Sequence, residues 1–474
     1  MKFIPSAPAW ERKPSIPVFM RGFPTSPSHK WDSLPGSPPA AWDEKKEMLI
    51  RSTAISLSIA RRRRFPLLLI ATLLLTSIFY NQRYHPFAPP PRDAHPRGKG
   101  SFDGTWNYTR DARNLMLSES QCLQAFPDLY HEIDRAVEDR RSSHVTLKEI
   151  DEMPVANGYL RAMIYDQQLY MINATSGINS RGEASLHALH RAILTSPEPL
   201  PNIEFTMMVD DLAESANPRW TYSRQKSMTS LWLMPDFGYW SWPEPKIGAY
   251  SEIQMKAEQM DAKVPWMRKI DKLIWRGAHL KLLVREQLVN ASRGKSWADV
   301  KMIVWDDNAK GTAHDAFTMD EHCMYKFVAH TEGVSYSARL QNLQNCRSVI
   351  VSHKLSWLQH HHHLMVSSGP NQNFVEVAKD FSDLEKTMEG LLSGEGGGGN
   401  LKAEKIAENN VKTFRERYLT PAAEACYWRQ LIRGWATVSF EPSFYKESTG
   451  QKEQWRGVPI ESYLLMRQIE WNYQ

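Results

Sequence analysis

The stretch from Glu321 to Lys354, EHCMYKFVAHTEGVSYSARLQNLQNCRSVIVSHK, most limits what this chain can fold into. Its apolar run Met324 to Ala329 reads as a short buried strand closed by a turn at Glu332-Gly333. Ser335 to Ser337 opens a helical pattern with Leu340 and Leu343 on one face, and a second apolar run follows at Val349 to Val351. Strand, glycine turn, helix, strand is a βαβ unit, which commits the chain to a parallel sheet with flanking helices. Where the first strand of such a unit ends, free backbone N–H groups and the positive end of the helix converge. With Arg339 in the first helical turn, that spot suits a phosphate or diphosphate. A plain packing unit with a solvent-facing Arg339 has the same pattern.

A chain of 474 residues is too long for one core, so two domains plus appendages are expected. The net charge of +5 comes partly from one arginine run, and no basic stripe interleaved with aromatics argues for a nucleic-acid partner. The four cysteines, Cys122, Cys323, Cys346 and Cys426, form no CxxC pair, so a zinc site is not expected. An even number in an oxidising compartment suggests two disulfides, with three connectivities open.

Residues 1–64 are rich in Pro and Ser without sustained periodicity and read as a disordered cytosolic tail. It ends in Arg61 to Arg64, followed by FPLLLIATLLLTSIFY at 65–80, an uncharged run read as a transmembrane helix. The run falls short of the roughly 20 residues a bilayer core needs. Arginine snorkelling and the thinner early-secretory bilayer close the gap. The long stretch ahead of it argues against a signal peptide, and the flanking arginines place the N-terminus in the cytosol. Everything beyond is then lumenal, beginning with a Pro/Gly-rich stem at 81–109. Sequons at Asn107, Asn173 and Asn290 are candidate glycosylation sites there.

Residues 110–262 form a first region with a helix from Leu123 to Glu138, a hairpin of Tyr159 to Ile164 with Gln168 to Ile172, and an amphipathic helix from Arg181 to Leu194. A buried strand, Ile203 to Val209, ends in Asp210-Asp211, where α/β sheets place their ligand crevice. These carboxylates suit a general base, and a helix cap or turn carboxylate has the same pattern. The loop PDFGYWSWPEPKIGAY carries Phe237, Trp240, Trp242 and Glu244, which would line a sugar pocket or pin the loop to the surface. In the second region, 263–420, a short strand Lys272 to Trp275 leads through a turn at Arg276-Gly277 into a helix, Leu280 to Val289, carrying Arg285. A further strand, Val300 to Trp305, ends in Asp306-Asp307. The Asp-Asp pairs raise a metal-binding motif, but without further acidic neighbours they give it little support. His360 to His363 read as a loop with one or two functional imidazoles at most and no metal. A strand at Phe374 to Val377 and a helix from Phe381 to Leu392 follow, then a Gly-rich turn and two long helices parted at Pro421. The C-terminal helices, within 421–474, are expected to pack back on the first domain.

WRG at Trp275 to Gly277, together with HCMYKF and EGVSYSARLQNLQNCRSVIVSH, resembles glycosyltransferase family 90. That family includes capsule-associated xylosyltransferases of fungi and KDEL-containing protein O-glucosyltransferases of animals. DFGYWSWPEP (236–245), HHHLMVSSGPNQNFVEV (361–377) and RYLTPAAEACYWRQLI (417–432) resemble the fungal branch. The resemblance implies an α/β fold of GT-B type, two Rossmann-like domains facing across a cleft. It also implies inversion at the sugar carbon, no metal, and no cofactor beyond a UDP-sugar donor substrate. Onto the donor diphosphate it maps Val334, Ser335, Tyr336, Ser337 and Arg339, with Arg276, Gly277, Ala278 and Arg285. Ala278 stands where the family often has serine, so one hydroxyl contact is missing. Asp211 is the implied base, with Asp210 beside it, and the Phe237 to Glu244 loop is implied near the donor sugar. The implied disulfides are Cys323–Cys346 and Cys122–Cys426. The whole then reads as a single-pass Golgi or ER glycosyltransferase moving xylose or glucose to a hydroxyl of a glycan or glycoprotein. A short membrane segment and no C-terminal KDEL lean towards Golgi. The competing reading is a catalytically inactive lumenal relative that binds glycans.

Overall fold

The apolar runs of the sequence become the strands of two six-stranded sheets. The computed structural model describes residues 102–175, 178–212, 217–242, 247–305, 313–393, 399–446 and 454–466, all within one compact unit spanning 92–474. The expected tail, membrane helix and most of the stem lie outside the described residues, as do Glu244 and Asp306-Asp307. Among the described residues no helix is long and apolar enough to cross a membrane.

The chain enters through α1 (Glu119–Ala125), closed at its start by a reciprocal cap between Ser118 and Gln121. The continuous helix expected over Leu123 to Glu138 is broken here. Pro127 has no N–H to offer a helical ladder, and α2 (His131–Arg140) begins afresh. Strands β1 (Tyr159–Tyr165) and β2 (Gln168–Ala174) form the expected hairpin, turning through left-handed Asp166 and Gln167 at φ 46 and 64. Helix α3 (Asn179–Leu194) buries a face of Ala184, Leu186, Ala188, Leu189, Ala192 and Ile193. Strand β3 (Ile203–Met208) is buried throughout and lies antiparallel to β1. Two short strands, β4 (Trp220–Thr221) and β5 (Trp232–Leu233), continue the sheet in parallel. A small ribbon of β6 (Ser241–Trp242) and β7 (Gly248–Ala249) leads to α4 (Tyr250–Lys263).

The second sheet opens with β8 (Ile270–Ala278) and α5 (Leu283–Ser292), then β9 (Ala298–Trp305) and β10 (Ala313–His314). Strand β11 (Tyr325–His330), helix α6 (Leu340–Leu343), β12 (Val349–His353) and β13 (Val375–Val377) follow. Its order is β10-β9-β8-β11-β12-β13, with only β10 antiparallel. Growth of the sheet runs from β8 to β9 on one side, then jumps back to β11 on the other. That reversal leaves a crevice at the C-terminal ends of β8 and β11. Helices α7 (Leu384–Ser393) and α8 (Gly399–Thr413) cover this sheet, burying Leu384, Met388, Ala403, Ile406 and Ala407. Helix α9 (Pro421–Thr437), capped by Thr420 with Pro421 at its first position, crosses back to the first core. There Trp428 and Trp435 join Trp220 and Trp232, and the Phe205 and Trp220 rings stack 4.1 Å apart. Finally β14 (Val458–Pro459) extends the first sheet beyond β2.

Three further expectations need correction. Arg276-Gly277 is no turn: β8 runs on to Ala278 because β9 pairs with it residue by residue. The turn lies at Leu280 and Lys281, with φ 50 and 54. The helix after Ser337 is a single turn, too short to present a macrodipole to a ligand. The first sheet is mixed, since β1, β2 and β14 run antiparallel, so the alternating parallel pattern belongs to the second sheet. Both implied disulfides are present: Cys122–Cys426 spans 304 residues and Cys323–Cys346 spans 23.

Candidate functional site

The C-terminal end of β3 and the crevice between β8 and β11 open onto one cavity of about 730 Å³. From the first sheet come Asn179, Ser180 and Arg181 at the start of α3, and Asp210 and Asp211 just past β3. From the second come Arg276, Gly277 and Ala278 at the end of β8, Arg285 on α5, and Ser337 and Arg339 ahead of α6. Trp242, Ile247, Leu280, Ile303, Ala316, Phe317, Met319 and His322 complete the lining. The close pairing of β8 with β9 is what aims Arg276 here, because alternate residues of a strand face opposite sides.

The cations are unequally served. Arg276 pairs with Asp299 at 2.8 Å and donates to the carbonyls of Asp299 and Asp315. Asp299 in turn accepts from the Tyr325 hydroxyl at 2.6 Å. Arg285 donates to the carbonyls of Ala278 at 2.5 Å and Glu332 at 3.3 Å. Arg339 turns inward to the carbonyl of Arg276. Among the described residues neither Arg285 nor Arg339 pairs with a carboxylate. Both flank the Trp275 ring, at 6.0 and 5.8 Å. Burial pulls Arg285 down to about 10, and burial with repulsion from Arg285 pulls Arg339 down to about 9. A guanidinium buried without a counter-charge is costly, and an anion in the cavity would relieve that cost.

The acid side is differently built. Asp211 Oδ1 lies 2.7 Å from Arg181 Nη1, and the Asp211 backbone N–H donates to Asp210 Oδ1 at 2.7 Å. Gly158 lies against this turn at φ 78, where a Cβ would come within 3.1 Å of Asp210. Asp210 and Asp211 thus share one chamber with Arg181, Arg276, Arg285 and Arg339.

Residues 119–453 match the family described as Glycosyl transferase family 90. The chain belongs to glycosyl transferase family 90. It is similar to O-glucosyltransferase rumi of Drosophila melanogaster, 23% identical over 57% of this chain and 67% of that protein. It is also similar to human Protein O-glucosyltransferase 1, 24% identical over 49% of this chain and 62% of that protein. The chain thus covers less than two thirds of the human relative's length.

Within this family 90 chain, the remaining sequence-derived residues fall partly outside the cavity. Val334 is exposed away from it. Ser335 is buried with its hydroxyl unpartnered, and Tyr336 donates instead to buried Asp236. Phe237 belongs to the core, edge-on to Tyr222 and Trp242 at 5.5 and 5.2 Å. Trp240 stacks on His187 at 5.2 Å with Arg191 over it at 4.7 Å, so only Trp242 of that loop's described aromatics reaches the cavity. The loop is pinned by its rings rather than lined by them. None of His360 to His363 lines the cavity: they are held by Tyr239, Gln344, Gln359 and the carbonyl of Asp128. Among the described residues no group of three or more His, Cys, Asp or Glu is arranged to hold a metal ion. Asn107, Asn173 and Asn290 are all exposed, and Asn107 caps a short helix at the Arg110 N–H.

Sequence reasoning missed Arg181, Asp236, Asp299, Phe317 and His322. Asp236 carried a weak signal, since an Asp two residues ahead of Gly238 favours the local turn it makes at 2.7 Å. Burial, the larger effect, pushes its carboxyl up to about 6 against the hydrogen bonds from Tyr336, Gly238 and Gln341. Nothing in spacing links Arg181 to Asp211.

Proposed function

We propose that this chain is an inverting glycosyltransferase of GT-B type that uses a UDP-sugar and needs no metal. One observation carries the reading: among the described residues Arg285, buried, and Arg339, half-buried, have no carboxylate partner, and both share a cavity with Asp211. A nucleoside diphosphate is the anion that suits them, and the crevice at the ends of β8 and β11 is where such sheets take nucleotides. The acceptor oxygen attacks the anomeric carbon and its proton passes to Asp211. The bond from that carbon to the diphosphate breaks, and the electron pair leaves on the diphosphate. Arg276, Arg285 and Arg339 stabilise the charge that grows there. One displacement from the far side inverts the carbon. Asp210 orders the loop beneath Asp211 through its backbone N–H.

The names of the relatives favour glucose over xylose as the transferred sugar and a protein hydroxyl as the acceptor. The apolar run at 65–80 behind four arginines supports a single-pass type II protein of Golgi or ER with a lumenal catalytic region. The deciding experiment presents full-length protein with UDP-glucose, UDP-xylose and other UDP-sugars and detects released UDP. Release with one donor, undiminished by EDTA, is the expected result. No release with any donor would favour an inactive binding protein, and loss in EDTA would end the metal-free reading.

A further inference from the structure

Among the described residues, Asp211 has one charged partner at hydrogen-bonding distance: Arg181, 2.7 Å from its Oδ1. That guanidinium is braced. Its carbon lies 5.1 Å over the Phe237 ring. The Arg181 N–H donates to Asn179 Oδ1 at 2.9 Å, and its carbonyl accepts from Ser185 at 3.0 Å and Tyr222 at 3.2 Å. Backbone and head group are therefore both fixed with respect to β3. The side chains of Arg181 and Asp211 remain 31% and 40% exposed, and a pair so open to water adds little to stability. Its effect falls on the orientation of the Asp211 carboxylate.

We propose that Arg181 is a positioning residue for the transfer reaction. It engages Asp211 through Oδ1, fixes the direction in which the carboxylate points, and leaves Oδ2 to receive the acceptor's proton. The inference rests on the reading of Asp211 as the base. A guanidinium held at both its backbone and its head group gives the carboxylate one orientation, and proton transfer needs the accepting oxygen within reach of the acceptor hydroxyl. Asp210, Arg276, Arg285, Arg339 and His322 share the cavity with Asp211, and Tyr222 bonds to the Arg181 carbonyl. Among the described residues Arg181 alone bonds to the Asp211 side chain.

The test compares kcat and KM for full-length wild type, R181Q and R181K, with UDP binding and melting temperature measured in parallel. R181Q should lose about 10- to 100-fold in kcat, the order for a misplaced reacting group. UDP affinity should stay within about twofold, because the arginines proposed to hold the diphosphate lie on the other sheet, and the melting temperature should hold, because the pair is open to water. R181K keeps a charged donor and should recover part of the loss, the rest reflecting a single ammonium that does not reproduce the guanidinium's geometry. A wild-type kcat in R181Q overturns the inference, as does a loss matched by a fall in melting temperature, or an R181K no better than R181Q. D211N separates the two layers: a D211N protein that still transfers sugar removes the base reading itself. An inactive D211N with a wild-type kcat in R181Q removes only the role given to Arg181.

Discussion

Arg285 and Arg339 matter for what they lack. A surface arginine is at ease in water, whereas these two sit within the protein facing backbone carbonyls and an indole ring. Replacing Arg339 by Ala should weaken UDP binding about 10- to 100-fold by calorimetry, the range for losing one charge-assisted contact to an anion. R339K should recover little of it, since a point charge does not copy the fork. D211N should lower kcat by about 10²- to 10⁴-fold and leave UDP affinity intact, the range for losing general-base assistance. Their places in the cavity were legible in the sequence: Asp211 lies just past the apolar strand ending at Met208, and Arg339 in the segment that joins the strand ending at His330 to the next helix. Arg181 and Asp236 were not. The contact of Arg181 with Asp211 spans 30 residues, and that of Asp236 with Tyr336 spans 100, and only the packed fold brings them together.

Among elements, β8 shows how pairing overrules local propensity. Arg-Gly after a short apolar run reads as a turn, yet the hydrogen bonds offered by β9 keep both residues in the strand. A Cβ on Gly277 would come within 2.4 Å of the Trp275 ring, the same ring that Arg285 and Arg339 flank. Gly277→Ala should therefore both lower the melting temperature and raise the donor KM, whereas a mutation felt only by packing would change the first alone. The single-turn α6 was over-read for a related reason. Gln341, Asn342 and Asn345 are buried, and the Asn345 amide bonds to the Gln341 carbonyl at 2.9 Å. The segment is thus held by side-chain hydrogen bonds rather than by a long helical ladder. The Cys323–Cys346 bond brackets it. Cys346→Ser should cost on the order of 3 kcal/mol by the chain-entropy estimate for a loop of this size, readable as a lowered denaturant midpoint.

For the molecule as a whole, the run His360 to His363 sets a pH limit. Burial pushes His360 and His362 down to about 3, and His361 well below its usual range. In an unfolded chain the same rings titrate near 6.5. Between those values the unfolded chain binds more protons than the folded one, so stability is whole above about pH 6.5 and drains away as the pH falls. The melting temperature should drop steeply from pH 7 to pH 5, and His360→Phe, which cannot be protonated, should make that slope shallower. A flat profile would show that the rings lie open to water. The sequence marked these histidines as unusual, but their burial depends on Tyr239 and Tyr427, which come from distant stretches. Helix α9 and its bond from Cys426 to Cys122 carry a different kind of consequence. During synthesis the second sheet has all its strands once residue 377 has emerged, and its covering helices by residue 413. The first core lacks Trp428, Trp435 and half of its disulfide until α9 is made. The part of the protein that is made first must therefore wait, incomplete, for the end of the chain, while the later half matures ahead of it.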